Sequence, residues 1–446
     1  MTAARACGDE QLRAAGGPMH PVVADPEASV FFAVSKDVLL VEPPEGSPGV
    51  THPRGFLAAG VAAGLKESGR PDVGLVAVAP DYRAETVGAA VFTRNSFAAA
   101  PVIVSRAEVL LDRLTAVVMN SGSANACTGA GGLIAARAMQ TATAAALRVP
   151  PNRVGVASTG PIGHRLDTSA MQRGIDAAAA ALSADGGSRF SEAILTTDRF
   201  PKSCAVDVYT RDGVVRVGAT AKGAGMIAPG MATMLCLVTT DAVLTPTVAR
   251  SLLPREVSHT FNRISVDGQM STNDCVFLMA NGASGIALSR EALALFGGGL
   301  RTVLLRLALM MVADGEGATK VARLRVKGAR TDEDARIATR AVADSTLVKT
   351  AFYGCDPNWG RILSSVGAAL PDSSFPRVTL DIGGVRIVQA AEPVDLTPDQ
   401  RDALHATMRG CEIDVVLDLS VGAGTDEVFF SDLGHEYVTV NAEYHT

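Results

Sequence analysis

The 446-residue chain is 48% hydrophobic and 19% charged, with 44 glycines and only 4% aromatics; that composition packs α/β layers on small side chains and argues against a disordered protein. Its formal net charge of −6, with no Lys/Arg run, argues against a nucleic-acid partner, because phosphate binding needs a clustered basic surface. Seven scattered cysteines form no CxxC pair, which speaks against a zinc site or disulfide framework and fits a reducing, cytoplasmic setting.

In chain order, residues 1–48 stand apart as an N-terminal extension. They carry Pro/Gly punctuation and two short apolar runs, SVFFAV and DVLLVE, from which one added strand is expected. No apolar h-region of a secretory signal precedes them. From Val50 onward, DVGLVAVA, TAVVMNSG and RVGVAST predict strands that end in small polar residues. GLIAARAMQTATAAALRV and MQRGIDAAAAALSA predict Ala-rich helices. A second series begins after residue 233: strand MLCLVTTDAVL, helix PTVARSLLPREVSHTFN, then a helix leading to a strand in LRTVLLRLALMMVADGEGATKVARLRV. The apolar stretch Leu300–Val312 contains Arg301 and Arg306 and is too short to span a bilayer, so it predicts a buried helix and no membrane partner. The tail from Cys411 alternates with period two and predicts a β-hairpin or meander running to the C-terminus. The whole predicts an α/β fold with strand ends feeding loops, where sites are usually built.

Common site signatures are missing: there is no GxSxG elbow, HExxH or Walker loop. Gly223 and Gly225 begin a dinucleotide-like fingerprint, but Ala228 stands where its third glycine belongs. The histidines are isolated and have no metal-ligand spacing. The segment that draws chemical interest is AKGAGMIAPGMATMLCLVTTD, a Gly/Pro-rich loop running into a β-branched strand with Thr233 behind Ala232. Were the Ala232–Thr233 bond to break, Thr233 would gain an α-amine with an ordinary pKa of ~7.7–8.0, able to act as base for its own hydroxyl. By local pattern alone, a threonine that merely opens a strand is the more economical reading.

KGAGMIAPGMATML (222–235) closely resembles the self-processing segment of the ornithine acetyltransferase (glutamate N-acetyltransferase) family. So do THPRGFLAAGVAAGLK (51–66), AAVFTRNSFAAAPV (89–102), VVMNSGSANACTG (117–129), ASTGPIG (157–163), ILTTDRFPK (194–202), NRISVDGQMSTND (262–274), VADGEGATK (312–320), YGCDPNWGRI (353–362) and VNAEYHT (440–446), in family order. The resemblance implies a layered α/β sandwich, self-cleaved at Ala232–Thr233 into an α chain (49–232, behind the extension) and a β chain (233–446). It implies Thr233 as nucleophile and Thr159 with Gly160 as the oxyanion pair. Substrate contacts fall to Lys222, Thr196 or Thr197, Glu316, Asn441 and Thr446. Lys222 would offer a cation to a carboxylate and Glu316 an anion to an ammonium group, while Asn441 and Thr446 would serve from the last strand and its end. The implied reaction is ping-pong transfer of acetyl from N-acetylornithine to glutamate through acetyl-Thr233, some members also taking acetyl-CoA. It needs no metal or organic cofactor, and its members assemble as α2β2 or larger.

Two blocks depart from the family pattern. DGQMSTND has Gln269 and Met270 where DGDTSTND is usual, and Ser123 replaces a common asparagine. They leave room for a specialised paralogue acting on another ornithine- or arginine-like amine. An amide hydrolase that passes the acyl group to water is a second alternative, and an unprocessed, non-catalytic relative a third.

Overall fold

The computed structural model describes residues 20, 26–41, 49–228 and 234–443. It divides into two compact units: a larger one of Val34–Asn262 with Gln269–Met311, and a smaller one of Arg263–Gly268 with the chain from Val312 onward and the described residues up to Ala33.

The larger unit contains two sheets. One has the order β2 (Phe56–Val61), β3 (Val73–Val78), β5 (Ala116–Asn120), β6 (Val154–Ser158); the other runs β1 (Val38–Leu40), β7 (Lys202–Thr210), β8 (Gly213–Lys222), β9 (Leu235–Thr240), β11 (Cys275–Ala280), β4 (Val87–Phe92). Every residue of β3, β5, β6, β9 and β11 is buried, which explains why these strands read as continuous apolar runs rather than alternating ones. The two sheets face each other across a core that includes Val76, Val117, Met119, Leu237 and Phe277. The outer face of the four-stranded sheet is covered by helices α1 (Ala100–Glu108), α2 (Gly129–Leu147) and α3 (Thr168–Ala180), with Met139, Met171 and Ile175 in that second core. A short helix, α4 (Gly187–Ala193), lends Phe190 to the core between the sheets. On the far face of the six-stranded sheet, α5 (Pro246–Ser258) packs near β4, and α6 (Arg290–Ala313) comes so close to β7 that a Cβ on Gly299 would lie 2.4 Å from Val208. These layers are the α/β sandwich anticipated from the sequence. Helix α6 is the one described helix long and apolar enough to cross a membrane, yet 78% of its most apolar window is buried, as in a core helix.

The smaller unit is built on a seven-stranded sheet, β10 (Ile264–Ser265), β17 (Gly424–Ser431), β12 (Val321–Ala329), β16 (Glu412–Asp418), β13 (Thr379–Ile382), β14 (Val385–Gln389), β15 (Glu392–Pro393). Its β16 alternates buried and half-buried positions, the mark of a sheet packed on one face. Leu324, Leu417 and Phe430 of the sheet share a core with Val342, Phe352, Ile362 and Met408. Those four come from α7 (Asp332–Ala343), α8 (Thr346–Tyr353), α9 (Trp359–Ala369) and α10 (Pro398–Arg409). α7 starts on Thr331, whose side chain accepts from Asp334 N–H, and α10 carries a Thr397/Gln400 capping box with Pro398 in its first turn.

The one strand expected of the extension comes from DVLLVE, as β1 beside β7, while Phe31 of SVFFAV packs edge-on against Phe429. Two expectations are corrected. The tail is no hairpin, because β12 lies between β16 and β17, parallel to the first and antiparallel to the second. Beyond β17 the chain forms a helix, α11 (His435–Glu443), so Asn441 lies on a helix and not on a last strand.

Candidate active site

Strands β5 and β6 run parallel, with Asn120 opposite Ser158, so their C-terminal ends deliver two loops to one place. Thr159 follows β6, buried at 4% exposure, and its N–H donates to Asn120 O at 2.9 Å. Gly160 has φ 134°, and a Cβ there would stand 2.6 Å from Ser123 N and 2.7 Å from Gly122 C; only glycine fits that approach. No acceptor for the Gly160 N–H occurs among the described residues. The facing loop 120–129 is held rigidly. Asn120 donates to Ser123 O and accepts from Ser158 Oγ at 2.6 Å, while Asn273 Nδ2 donates to both Ala124 O and Ser158 O. ASTG therefore leads into a braced loop, and the next helix starts only at Thr168, capped by Asp167 rather than directly after Pro161.

Lys222, the last residue of β8 and 3% exposed, extends into this corner. Its Nζ donates to Thr196 Oγ1 at 2.7 Å and to Thr159 Oγ1 at 3.3 Å, leaving the Thr159 hydroxyl proton free to donate elsewhere. Asp198 lies 3.8 Å from Lys222 Nζ and accepts from Lys202 Nζ at 2.7 Å, from Gly223 N–H at 2.7 Å and from Thr196 N–H at 3.1 Å. Burial alone would raise the Asp198 carboxyl, but Lys202, Lys222 and these hydrogen bonds hold it below the usual carboxylate range. The corner is thus desolvated and positively biased, with two donors, a hydroxyl and a backbone N–H, at one strand end. Lys66 adds to the bias: burial and the neighbouring cations Arg70 and Lys222, against Asp72 and Asp198, bring its ammonium down to about 8.

Thr197 is half-buried beside Thr196, and it is Thr196 whose hydroxyl meets Lys222. Ala232, Thr233 and Thr446 lie outside the described residues. In the smaller unit, Glu316 sits on the tight turn after α6, where Gly317 at φ 69° packs against the first turn of α11. Asn441 Nδ2 donates to Glu316 Oε2 at 2.8 Å. Beside them, burial and the carboxylates Asp267 and Glu316 push the Tyr437 phenol up to about 12. The chain thus brings Thr159, Gly160, Lys222 and Thr196 together in the larger unit, and Glu316 with Asn441 in the smaller.

Reading the sequence alone missed Asp198, Lys202, Asn120 and Asn273. Asp198 and Lys202 carried a signal, an acid and a lysine four residues apart in one quoted block. Asn120 and Asn273 carried none beyond lying in quoted blocks, since their roles depend on pairings across the fold.

A profile of the ArgJ family matches residues 57–446. The arginine biosynthesis bifunctional protein ArgJ of Nitratidesulfovibrio vulgaris is 43% identical over 393 residues, covering 88% of this chain and 98% of the relative. That of Symbiobacterium thermophilum is 43% identical over 403 residues, covering 89% and 98%. Among solved structures, the ornithine acetyltransferase of Mycobacterium tuberculosis, complexed with ornithine, is 39% identical, covers 44% of this chain and 100% of that one, and superposes with a TM-score of 0.39.

Proposed function

The chain belongs to the ArgJ family, and from that premise we propose that it is a glutamate N-acetyltransferase that moves acetyl from N-acetylornithine to glutamate through an acetyl-Thr233 ester. The observation that carries the catalytic part is the corner where Lys222 braces the Thr159 hydroxyl beside the Gly160 N–H, which no acceptor among the described residues engages. Self-cleavage at Ala232–Thr233 frees the Thr233 α-amine. That amine takes the hydroxyl proton as the oxygen attacks the acetyl carbonyl of N-acetylornithine. Thr159 Oγ–H and Gly160 N–H hold the tetrahedral oxyanion; losing one such donor typically costs ~2.7–4 kcal/mol. Collapse expels ornithine, which takes the proton as its amine leaves. The amine of glutamate then attacks the ester, forms N-acetylglutamate and returns the proton to Thr233.

Glu316, presented with Asn441, holds an ammonium group of the amino-acid substrate, and Thr446 is assigned a substrate contact by the family resemblance; Lys222, with Thr196 or Thr197, balances a carboxylate. Acetyl-CoA as a second donor, an α2β2 or larger assembly and residence in the cytoplasm belong to the same reading. Family membership favours acetyl transfer over the specialised paralogue and over hydrolysis. The test is a pair of assays on one preparation. N-acetylglutamate formed from N-acetylornithine and glutamate, with free acetate at background when no amine is present, is the expected result. Acetate released at a comparable rate without an acceptor would instead establish a hydrolase.

A further inference from the structure

The loop between β2 and β3 is folded around one carboxylate. Asp72 is fully buried and accepts the backbone N–H groups of Ala63 at 2.7 Å, Gly64 at 3.1 Å, Leu65 at 2.6 Å and Lys66 at 3.1 Å. Those donors occupy the lone pairs of the carboxylate, so Lys66 starts from a fixed point. Two close approaches in series bring this loop to the oxyanion pair. A Cβ on Gly122 would lie 2.8 Å from Leu65 O, and one on Gly160 would lie 2.7 Å from Gly122 C. The Asp72 carbonyl ties the loop to the same turn by accepting from Ser121 N–H at 2.9 Å.

Lys66 is half-buried and Arg70 exposed. The Lys66 ammonium donates to Pro71 O at 2.8 Å. That uses one of its three protons, and no carboxylate pairs with it among the described residues. Glu67, the other acid of the loop, is exposed, where salt and solvent screen it. Burial lowers the Lys66 ammonium to about 8, with Asp72 and Asp198 opposing and Arg70 and Lys222 assisting. At pH 7 it is therefore still a cation, partly desolvated and without a counter-ion.

The proposed substrates pose a problem of charge. N-acetylornithine and glutamate share an α-carboxylate, but one side chain ends in an ammonium group and the other in a carboxylate. Glu316 suits the first and repels the second. At the buried corner, Lys202 and Lys222 set against Asp198 leave one net positive charge, enough for one carboxylate. A dicarboxylic acceptor needs a second cation. Resting on the proposed glutamate N-acetyltransferase activity, we propose that Lys66, backed by Arg70, receives the side-chain carboxylate of glutamate and so sets the preference for a dicarboxylic acceptor.

The test uses the full chain as wild type, Lys66→Met, Lys66→Arg and Arg70→Gln, each with its melting temperature measured. N-acetylornithine is the donor, and glutamate is compared with glutamine, which has nearly the same shape and no side-chain charge. In Lys66→Met the ratio of kcat/KM for glutamate to that for glutamine should fall about tenfold or more, as expected for losing a hydrogen bond between charged groups. The loss should lie mostly in KM for glutamate. Arg70→Gln should lower the ratio less, and Lys66→Arg should restore most of it. An unchanged ratio in Lys66→Met, an equal loss on both acceptors, or a wild type that does not prefer glutamate overturns the inference and leaves acetyl transfer standing. A wild type that moves no acetyl from N-acetylornithine to labelled ornithine overturns the proposed function, and the inference with it. If Lys66→Met does not melt cooperatively, Arg70→Gln decides by the same ratio: a fall supports the site, and an unchanged ratio overturns it.

Discussion

Lys222 donates its ammonium proton to Thr196 Oγ1 at 2.7 Å, tying the end of β8 to the loop that precedes β7. The same nitrogen reaches Thr159 at 3.3 Å, so one buried cation orients the hydroxyl assigned to the oxyanion. Replacing it with methionine keeps the stem and removes the charge. Acetyl exchange by Lys222→Met should fall at least 100-fold, about 2.7 kcal/mol of transition-state stabilisation, with kcat affected more than KM. Unchanged kcat would detach Lys222 from the oxyanion corner.

Asp198 and Lys202 form a pair in which both side chains are fully buried. Removing one partner of such a pair strands the other, at a cost of about 3–5 kcal/mol. Asp198→Asn should therefore lower urea-unfolding stability by about that amount at pH 7. The folded carboxyl titrates below its unfolded value of about 3.9. Its contribution is thus complete above that pH and is lost as pH falls further through the folded value. The difference between wild type and Asp198→Asn should shrink below pH 4; a constant difference from pH 7 to pH 3 would contradict the ion pair.

Gly160→Ala places a methyl 2.6 Å from Ser123 N at a φ of 134°. A non-glycine residue in such a region costs about 1–3 kcal/mol even before the clash. The variant should lose both melting temperature and exchange activity, whereas Gly163→Ala, at positive φ with open space around its Cβ position, should lose stability alone. Comparable activity in both variants would argue against Gly160 as a donor.

Glu316→Gln leaves an acceptor for Asn441 but removes the charge. Hydrogen bonds to charged groups are worth ~1.5–3 kcal/mol, so KM for the amino-acid substrates should rise ten- to a hundred-fold with the melting temperature unchanged. A drop in kcat at constant KM would move Glu316 out of substrate binding.

How much of this was legible depended on whether a residue's neighbours are local. Strands β3, β5, β6 and β9 were visible as β-branched runs ending in Gly or small polar residues, and α/β layers followed from them, while the sandwich itself came from the family resemblance. Helix α11 was not: no residue in it is buried, so no core-facing stripe marks a 3.6-residue period, and Tyr437, Val438, Thr439 and Val440 look like strand formers. Its helix also shows in Asn441, whose side chain bonds back to Tyr437 O and across to Glu316. The insertion of β12 between β16 and β17 was likewise invisible, because it pairs segments about 90 to 110 residues apart. In the candidate site, Thr159, Lys222 and Glu316 came from quoted blocks. Asp198 and Asn273 stood in the same blocks unremarked, for what sets them apart is burial and the pairing of distant segments. Pattern along one chain does not encode either.

The most direct test of the central claim is the intact mass of the purified protein beside Thr233→Ala. Two wild-type fragments of roughly 24 and 22 kDa from the 45.9 kDa chain, the smaller beginning at Thr233, and one uncut chain for the variant are what an N-terminal threonine nucleophile requires. A wild type that remains a single chain near 46 kDa would leave Thr233 without its α-amine base and contradict the proposed mechanism.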